Sequence, residues 1–65
     1  MRLIINGEER EVRSTDLAGI VQELGLDPKK VAVEHNLQIV PRSRHPLTLV
    51  IEGDRLEMVQ FVGGG

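Results

Sequence analysis

Sixty-five residues leave room for one domain, and with no cysteine among them the chain can form no disulfide, thiolate metal site or cysteine nucleophile. A net charge of −2 argues against a general nucleic-acid binder, and no apolar run approaches the roughly 20 residues of a membrane span. The apolar stretch at residues 1–6 is too short for a signal peptide, so a cytoplasmic domain of modest stability is expected.

Residues 1–6 alternate as a strand, with Met1, Leu3 and Ile5 on one face. Asn6-Gly7 supplies two residues that accept positive φ, and residues 8–13 return as the second strand of a hairpin. That turn sets Arg10 and Val12 on the face of Leu3 and Met1, so Arg10 must lay its stem along the rim of the core. Ser14, Thr15 and Asp16 offer helix N-caps. Leu17, Ile20, Val21 and Leu24 then make one apolar stripe of a helix, which Gly25 ends with Leu26 packing back in a Schellman motif. Gly19 inside the helix predicts close packing against the sheet.

Residues 31–34 and 37–40 read as short strands around His35-Asn36, and residues 41–46 as a polar loop carrying two arginines. Residues 47–51 form another apolar run, Gly53-Asp54 a turn, and residues 55–62 a final strand. A hairpin, one helix and several short strands are most economically packed as a mixed sheet with the helix across one side. The first and last strands would be central and parallel, joined through the helix. This is an α+β arrangement of the ubiquitin-like β-grasp type, over residues 1–62, followed by a flexible glycine tail at 63–65.

In the last strand, Leu56 and Met58 face the helix, while Glu57, Val59 and Phe61 face the other way. Ile4 and Ala32 fall on that second side by the same alternation. The plain reading of these four apolar residues is ordinary scattered exposure. The sharper reading is a partner-binding patch of Ile4, Ala32, Val59 and Phe61, next to the tail.

Gly63, Gly64 and Gly65 have no packing role in a helix or strand, and a frayed terminus is their plain reading. Against it, the strand stays apolar to Val62 and then loses every side chain. Such a tail is slim enough to thread a narrow channel and leaves its last carbonyl open to attack. The chain has no phosphate-binding glycine loop and no clustered acids suited to magnesium, so activation of a terminal carboxylate would fall to a partner.

Three segments together resemble the ThiS family of sulfur carriers in thiamin biosynthesis. They are the hairpin Asn6-Gly7-Glu8, the stretch from Val33 through Glu34, His35 and Asn36 to Pro41-Arg42, and the run from Gly53-Asp54 through Met58-Val59 to Phe61-Val62-Gly63-Gly64-Gly65. The resemblance covers essentially the whole chain. It implies that a ThiF-type adenylyltransferase uses ATP to adenylate the Gly65 carboxylate, with Gly63 and Gly64 giving access. Sulfur from cysteine, relayed through a desulfurase, would then make a thiocarboxylate for the thiazole synthase ThiG. By this analogy the chain is a carrier and not an enzyme, binds no cofactor or metal, and is a monomer when free. Many relatives carry an aromatic residue shortly after the Pro-Arg element, where this chain has Ser43-Arg44-His45-Pro46.

Other readings share parts of this pattern. The small subunit of molybdopterin synthase has the same implied chemistry, but its relatives tend to have a proline-bearing segment where this chain has Gln60-Phe61-Val62. A protein modifier joined to lysines would need the same tail, and a β-grasp interaction module would carry it inert. Arg42, Ser43, Arg44 and His45 suggest a phosphate or nucleic-acid contact, although two loop arginines are more often a solvated surface. Neither His35 nor His45 has an evident orienting acid and nucleophile in the sequence, so both are expected to be exposed or structural.

Overall fold

The computed structural model describes residues 1–62; Gly63, Gly64 and Gly65, with the tail assigned to them, lie outside the described residues. Strands β1 (Arg2–Ile5) and β2 (Glu8–Glu11) form the hairpin. Ile5 pairs with Glu8, which leaves Asn6 and Gly7 as the turn, at φ 52° and 82°. Two positive φ values in succession match the right-handed twist of the strands they join. Arg10 pairs with Leu3 and stays exposed, while Val12 exchanges backbone hydrogen bonds with Met1 and is buried.

Helix α1 (Leu17–Glu23) starts at Asp16, whose carboxylate accepts the Gly19 N–H at 2.8 Å. Leu17, Ile20 and Val21 are buried, with Leu24 packed at their margin. The helix closes as a Schellman motif: Leu26 N–H donates to the Val21 carbonyl, Gly25 N–H donates to that of Gln22, and Gly25 has φ 76°. Gly19 is close-packed, but against the preceding loop and not the sheet. A Cβ there would lie 2.9 Å from the Cβ of Ser14. That loop is also tied to the end of the helix, where the Glu23 carboxylate accepts the N–H groups of Ser14 and Arg13. These backbone donors hold the Glu23 carboxyl below its ordinary range.

Strands β3 (Val31–His35) and β4 (Gln38–Val40) pair so that the turn is Asn36-Leu37, one residue later than the alternation suggests. Leu37 is therefore a turn residue, held at φ 74°. A left-handed backbone at a leucine costs roughly 1–2 kcal/mol. The segment expected as a polar loop is instead a 3-10 helix (Arg42–Leu47). His45 turns inward from it, is buried, and donates from Nε2 to the Val40 carbonyl at 3.0 Å.

The final strand, β5 (Arg55–Gln60), stops two residues short of the expected end. The sheet order is β2-β1-β5-β3-β4, with β5 parallel to β1 and antiparallel to β3. The helix covers one face, and Leu3, Ile5, Val33, Leu56 and Met58 from the sheet meet Leu17, Ile20 and Val21 in one core. This is the β-grasp fold.

Candidate functional site

Central placement makes β5 the best-anchored path to the chain's last residues. Its backbone is bonded on both sides, and beyond its end Phe61 N–H still donates to the Lys30 carbonyl at 2.6 Å. Asn6 adds a brace that turn chemistry alone does not reveal. Its side chain copies a strand, with Nδ2 donating to the Met58 carbonyl at 3.1 Å and Oδ1 accepting the Met58 N–H at 2.8 Å. The β1–β5 pairing is thereby extended past the end of β1, toward residues 63–65.

The alternation along β5 divides its side chains as expected. Leu56 and Met58 are buried, whereas Val59 and Phe61 are 61% and 53% exposed on the opposite face. Ala32 pairs directly with Val59, and Phe61 follows two residues on, so these three adjoin one another near the tail. Ile4 does not join them. It pairs with Arg55, four positions back along β5 and so about 13 Å away, and it is half-buried. Glu57 lies between, directly opposite Glu34. The sequence correctly put Ile4 on this face, but alternation carries no information on position along a neighbouring strand.

On the helix-side face, a shallow pocket of about 290 Å³ adjoins the end of β5, lined by Ile5, Arg10, Leu24, Leu26, Met58 and Gln60 among others. At the opposite end of β5, His35 has the acid partner that the sequence did not reveal. Its Nε2 donates to Asp54 Oδ2 at 2.8 Å, and Asp54 also accepts the Ile51 N–H at 3.0 Å and Asn36 Nδ2 at 3.2 Å. Asn36 Oδ1 in turn accepts the Arg55 N–H. The pair works as a structural clamp, since Asp54 ties His35, Asn36 and the Ile51 N–H together at the start of β5.

Burial pushes the Asp54 carboxyl up, but the hydrogen bonds from His35, Ile51 and Asn36 outweigh it and leave the group below its ordinary value of 3.8. A depressed folded value means that the stabilisation is complete above the unfolded value and is lost as pH falls through the folded one. Asp54→Asn is therefore expected to cost about 1–2 kcal/mol near pH 7. Denaturant melts of both proteins across pH should show that difference closing below about pH 4.

Arg42 and Arg44 are exposed on the 3-10 helix. Among the described residues neither makes an ion pair, no group of three or more His, Asp or Glu side chains is arranged to hold a metal, and no helix is long and apolar enough to cross a membrane.

Comparison with known proteins adds the following. Residues 3–65 match the model of the ThiS family. A thiazole synthase of Paramagnetospirillum magneticum is 52% identical over 66 residues, and one of Magnetococcus marinus 39%. Both alignments take in all of this chain but only 20% of the relative, so the chain spans about a fifth of the length of these proteins. The crystal structure of the thiamine biosynthesis protein ThiS from Geobacter metallireducens superimposes with a TM-score of 0.84 at 29% identity, each chain covering 100% of the other. A solution structure of a thiamine biosynthesis protein from the same organism gives a TM-score of 0.80 at 29% identity, covering 100% of this chain and 88% of its own.

Proposed function

The chain belongs to the ThiS family, and from that premise we propose that it is a sulfur carrier of thiamin biosynthesis whose reacting group is the Gly65 carboxylate. The observation that carries this reading is the family match itself, which runs through Gly63 and Gly64 to Gly65. The fold supports it by supplying a rigid central strand that leads to those glycines.

A carboxylate repels nucleophiles, so it must first be made an electrophile. A Gly65 oxygen attacks the α-phosphorus of ATP on a ThiF-type adenylyltransferase, a P–O bond forms, and pyrophosphate leaves. The terminal sulfur of a persulfide, delivered from cysteine through a desulfurase relay, then attacks the acyl carbon. The C–S bond forms as the C–O bond to AMP breaks, and a second thiol of the partner enzymes cleaves the resulting acyl disulfide, becoming oxidised to a disulfide and leaving a thiocarboxylate. Glycines at 63 and 64 add no side chain that would block either attack. The carrier then gives its sulfur to a thiazole synthase of the ThiG type. It acts as a co-substrate of these cytoplasmic enzymes and contributes no catalytic side chain. The relatives named thiazole synthase support the thiamin branch over the molybdopterin one.

Chain-dependent ATP–pyrophosphate exchange tests the first step. With a cognate adenylyltransferase, exchange should appear only when the 65-residue chain is added. Exchange that is indifferent to the chain would remove adenylation from its role.

Ala32, Val59 and Phe61 form the surface offered to the adenylyltransferase along with the tail. Val59→Asp and Phe61→Ala should each weaken that complex by at least about tenfold, as expected where an exposed apolar anchor is lost. Because both residues are largely exposed, thermal melts should show the fold intact. Collapse of the fold in Phe61→Ala would mean that this side chain serves the core.

A further inference from the structure

Gly63, Gly64 and Gly65 carry no side chain that could fix where the terminal carboxylate is delivered, so that task falls to the end of β5. Its two neighbours hold that end unequally. Toward β3 the support runs to the last described residues: Ala32 pairs with Val59, Val31 with Gln60, and Phe61 N–H donates to the Lys30 carbonyl. Toward β1 the strand pairing stops at Ile5 opposite Leu56, because the chain then turns away into the hairpin. The last main-chain bond on that side runs from Asn6 N–H to the Leu56 carbonyl at 2.9 Å.

Successive residues of a strand turn their main-chain groups to opposite neighbours, so Leu56, Met58 and Gln60 address β1 while Val59 and Phe61 address β3. At Met58, where β1 has already gone, the Asn6 side chain takes its place. Oδ1 accepts the Met58 N–H at 2.8 Å and Nδ2 donates to the Met58 carbonyl at 3.1 Å. Two-sided support is thereby carried two residues beyond the last backbone pair. The turn does not require this amide, since glycine or aspartate also accepts the positive φ that Asn6 adopts. The core does not require it either, because Asn6 is exposed and its loss would open no cavity. What the amide adds is a fixed Met58, five residues before Gly63.

We propose that Asn6 is a positioning residue for the chemistry at Gly65, acting through Met58 to hold the end of β5 at one angle. The inference rests on the carrier reading above. A strand bonded along one side only can pivot about that line, whereas one bonded on both sides cannot. Seven residue steps separate Met58 from Gly65, about 24 Å when the chain is drawn out into an enzyme. Over that length a pivot of about 5° moves the far end by about 2 Å, and a misplacement of about 1 Å can cost roughly a hundredfold in rate. Docking is affected much less, because Val59 and Phe61 are bonded to the β3 side and keep that support without Asn6. Loss of the brace should therefore appear in kcat and spare KM.

The test uses 65-residue chains as substrates of the cognate adenylyltransferase and a cysteine-fed desulfurase. Thiocarboxylate formation is followed by intact mass, well below the Tm of every variant. Asn6→Gly keeps the turn and removes both bonds. Its kcat should fall at least about fivefold, with KM for the carrier changed by less than about twofold. Hydrogen exchange at the Met58 amide should quicken at least about tenfold as its acceptor is lost. Asn6→Asp keeps the turn but cannot donate to the Met58 carbonyl, so it should show the same loss of kcat; it serves if Asn6→Gly does not fold. Asp54→Asn is the control, because it loosens the start of the same strand: Tm should fall and kcat should hold. An unchanged kcat in an Asn6 variant that folds, a raised KM in place of a lowered kcat, or an equal loss of kcat in Asp54→Asn would each overturn the inference and leave the carrier reading standing. A wild-type chain that gains no sulfur would overturn the carrier reading itself, and the inference with it.

Discussion

Leu56→Ala should leave much of the population unfolded, at a cost of about 2–5 kcal/mol. Leu56 is fully buried on the central strand, beside Ile5 on β1 and His35 on β3, with the helix stripe above it. No neighbouring element can move in to fill its space without disturbing two strand pairings. A domain of this size is expected to have only about 3–10 kcal/mol of stability in total. Urea denaturation should show the midpoint falling sharply with the slope little changed. Val59→Ala, one strand face away, should barely move it.

Deleting Gly65 should leave that denaturation curve where it was and abolish sulfur loading. The shortened chain still carries a terminal carboxylate, on Gly64. With β5 docked in place, however, that group is drawn back by about 3.5 Å, one residue of extended chain. A misplacement of about 1 Å can already cost roughly a hundredfold in rate. Thiocarboxylate formation should therefore fall by at least about that factor with the same adenylyltransferase, while partner binding through Val59 and Phe61 persists. Binding without reaction would separate the surface that docks from the atom that reacts.

Most of the architecture was legible because short-range signals and alternation agreed. Asn6-Gly7 marked one hairpin, Asp16 and Gly25 bracketed the helix, and the strict alternation of Leu56, Met58, Val59 and Phe61 assigned both faces of the central strand. Features set by distant parts of the chain were not legible. Whether Ile4 lies beside Val59 depends on the stagger between β1 and β5, which no local pattern encodes. A glycine in a helix signals a close approach but not which surface makes it, and at Gly19 the neighbour is Ser14 and not the sheet. The His35–Asp54 pair joins residues 19 apart, and only the folded sheet brings them together. The 3-10 helix at Arg42–Leu47 has little apolar content and a histidine as its buried anchor, so its sequence carries no helical stripe. Alternation places Leu37 in a strand, because leucine is rarely found at the positive φ that it adopts in the turn.

The patch near the tail gains in definition from the same geometry. Ala32, Val59 and Phe61 adjoin one another on the uncovered face, whereas Glu34 and Glu57 oppose each other just behind them. A partner seated here meets apolar contacts closest to the glycines and negative charge further back. Like charges directly opposite one another weaken a strand pair slightly, so the sheet gains no stability from that arrangement.

The central claim is that sulfur is carried on the terminal carboxyl of Gly65, and intact-mass spectrometry tests it most directly. The chain would be incubated with ATP, a cognate adenylyltransferase and a cysteine-fed desulfurase, then weighed whole. The account predicts a species heavier by the difference between one sulfur and one oxygen, with fragmentation placing the added mass on Gly65. An unchanged mass with an adenylyltransferase shown to be active on its own carrier, or added mass on any other residue, would contradict it.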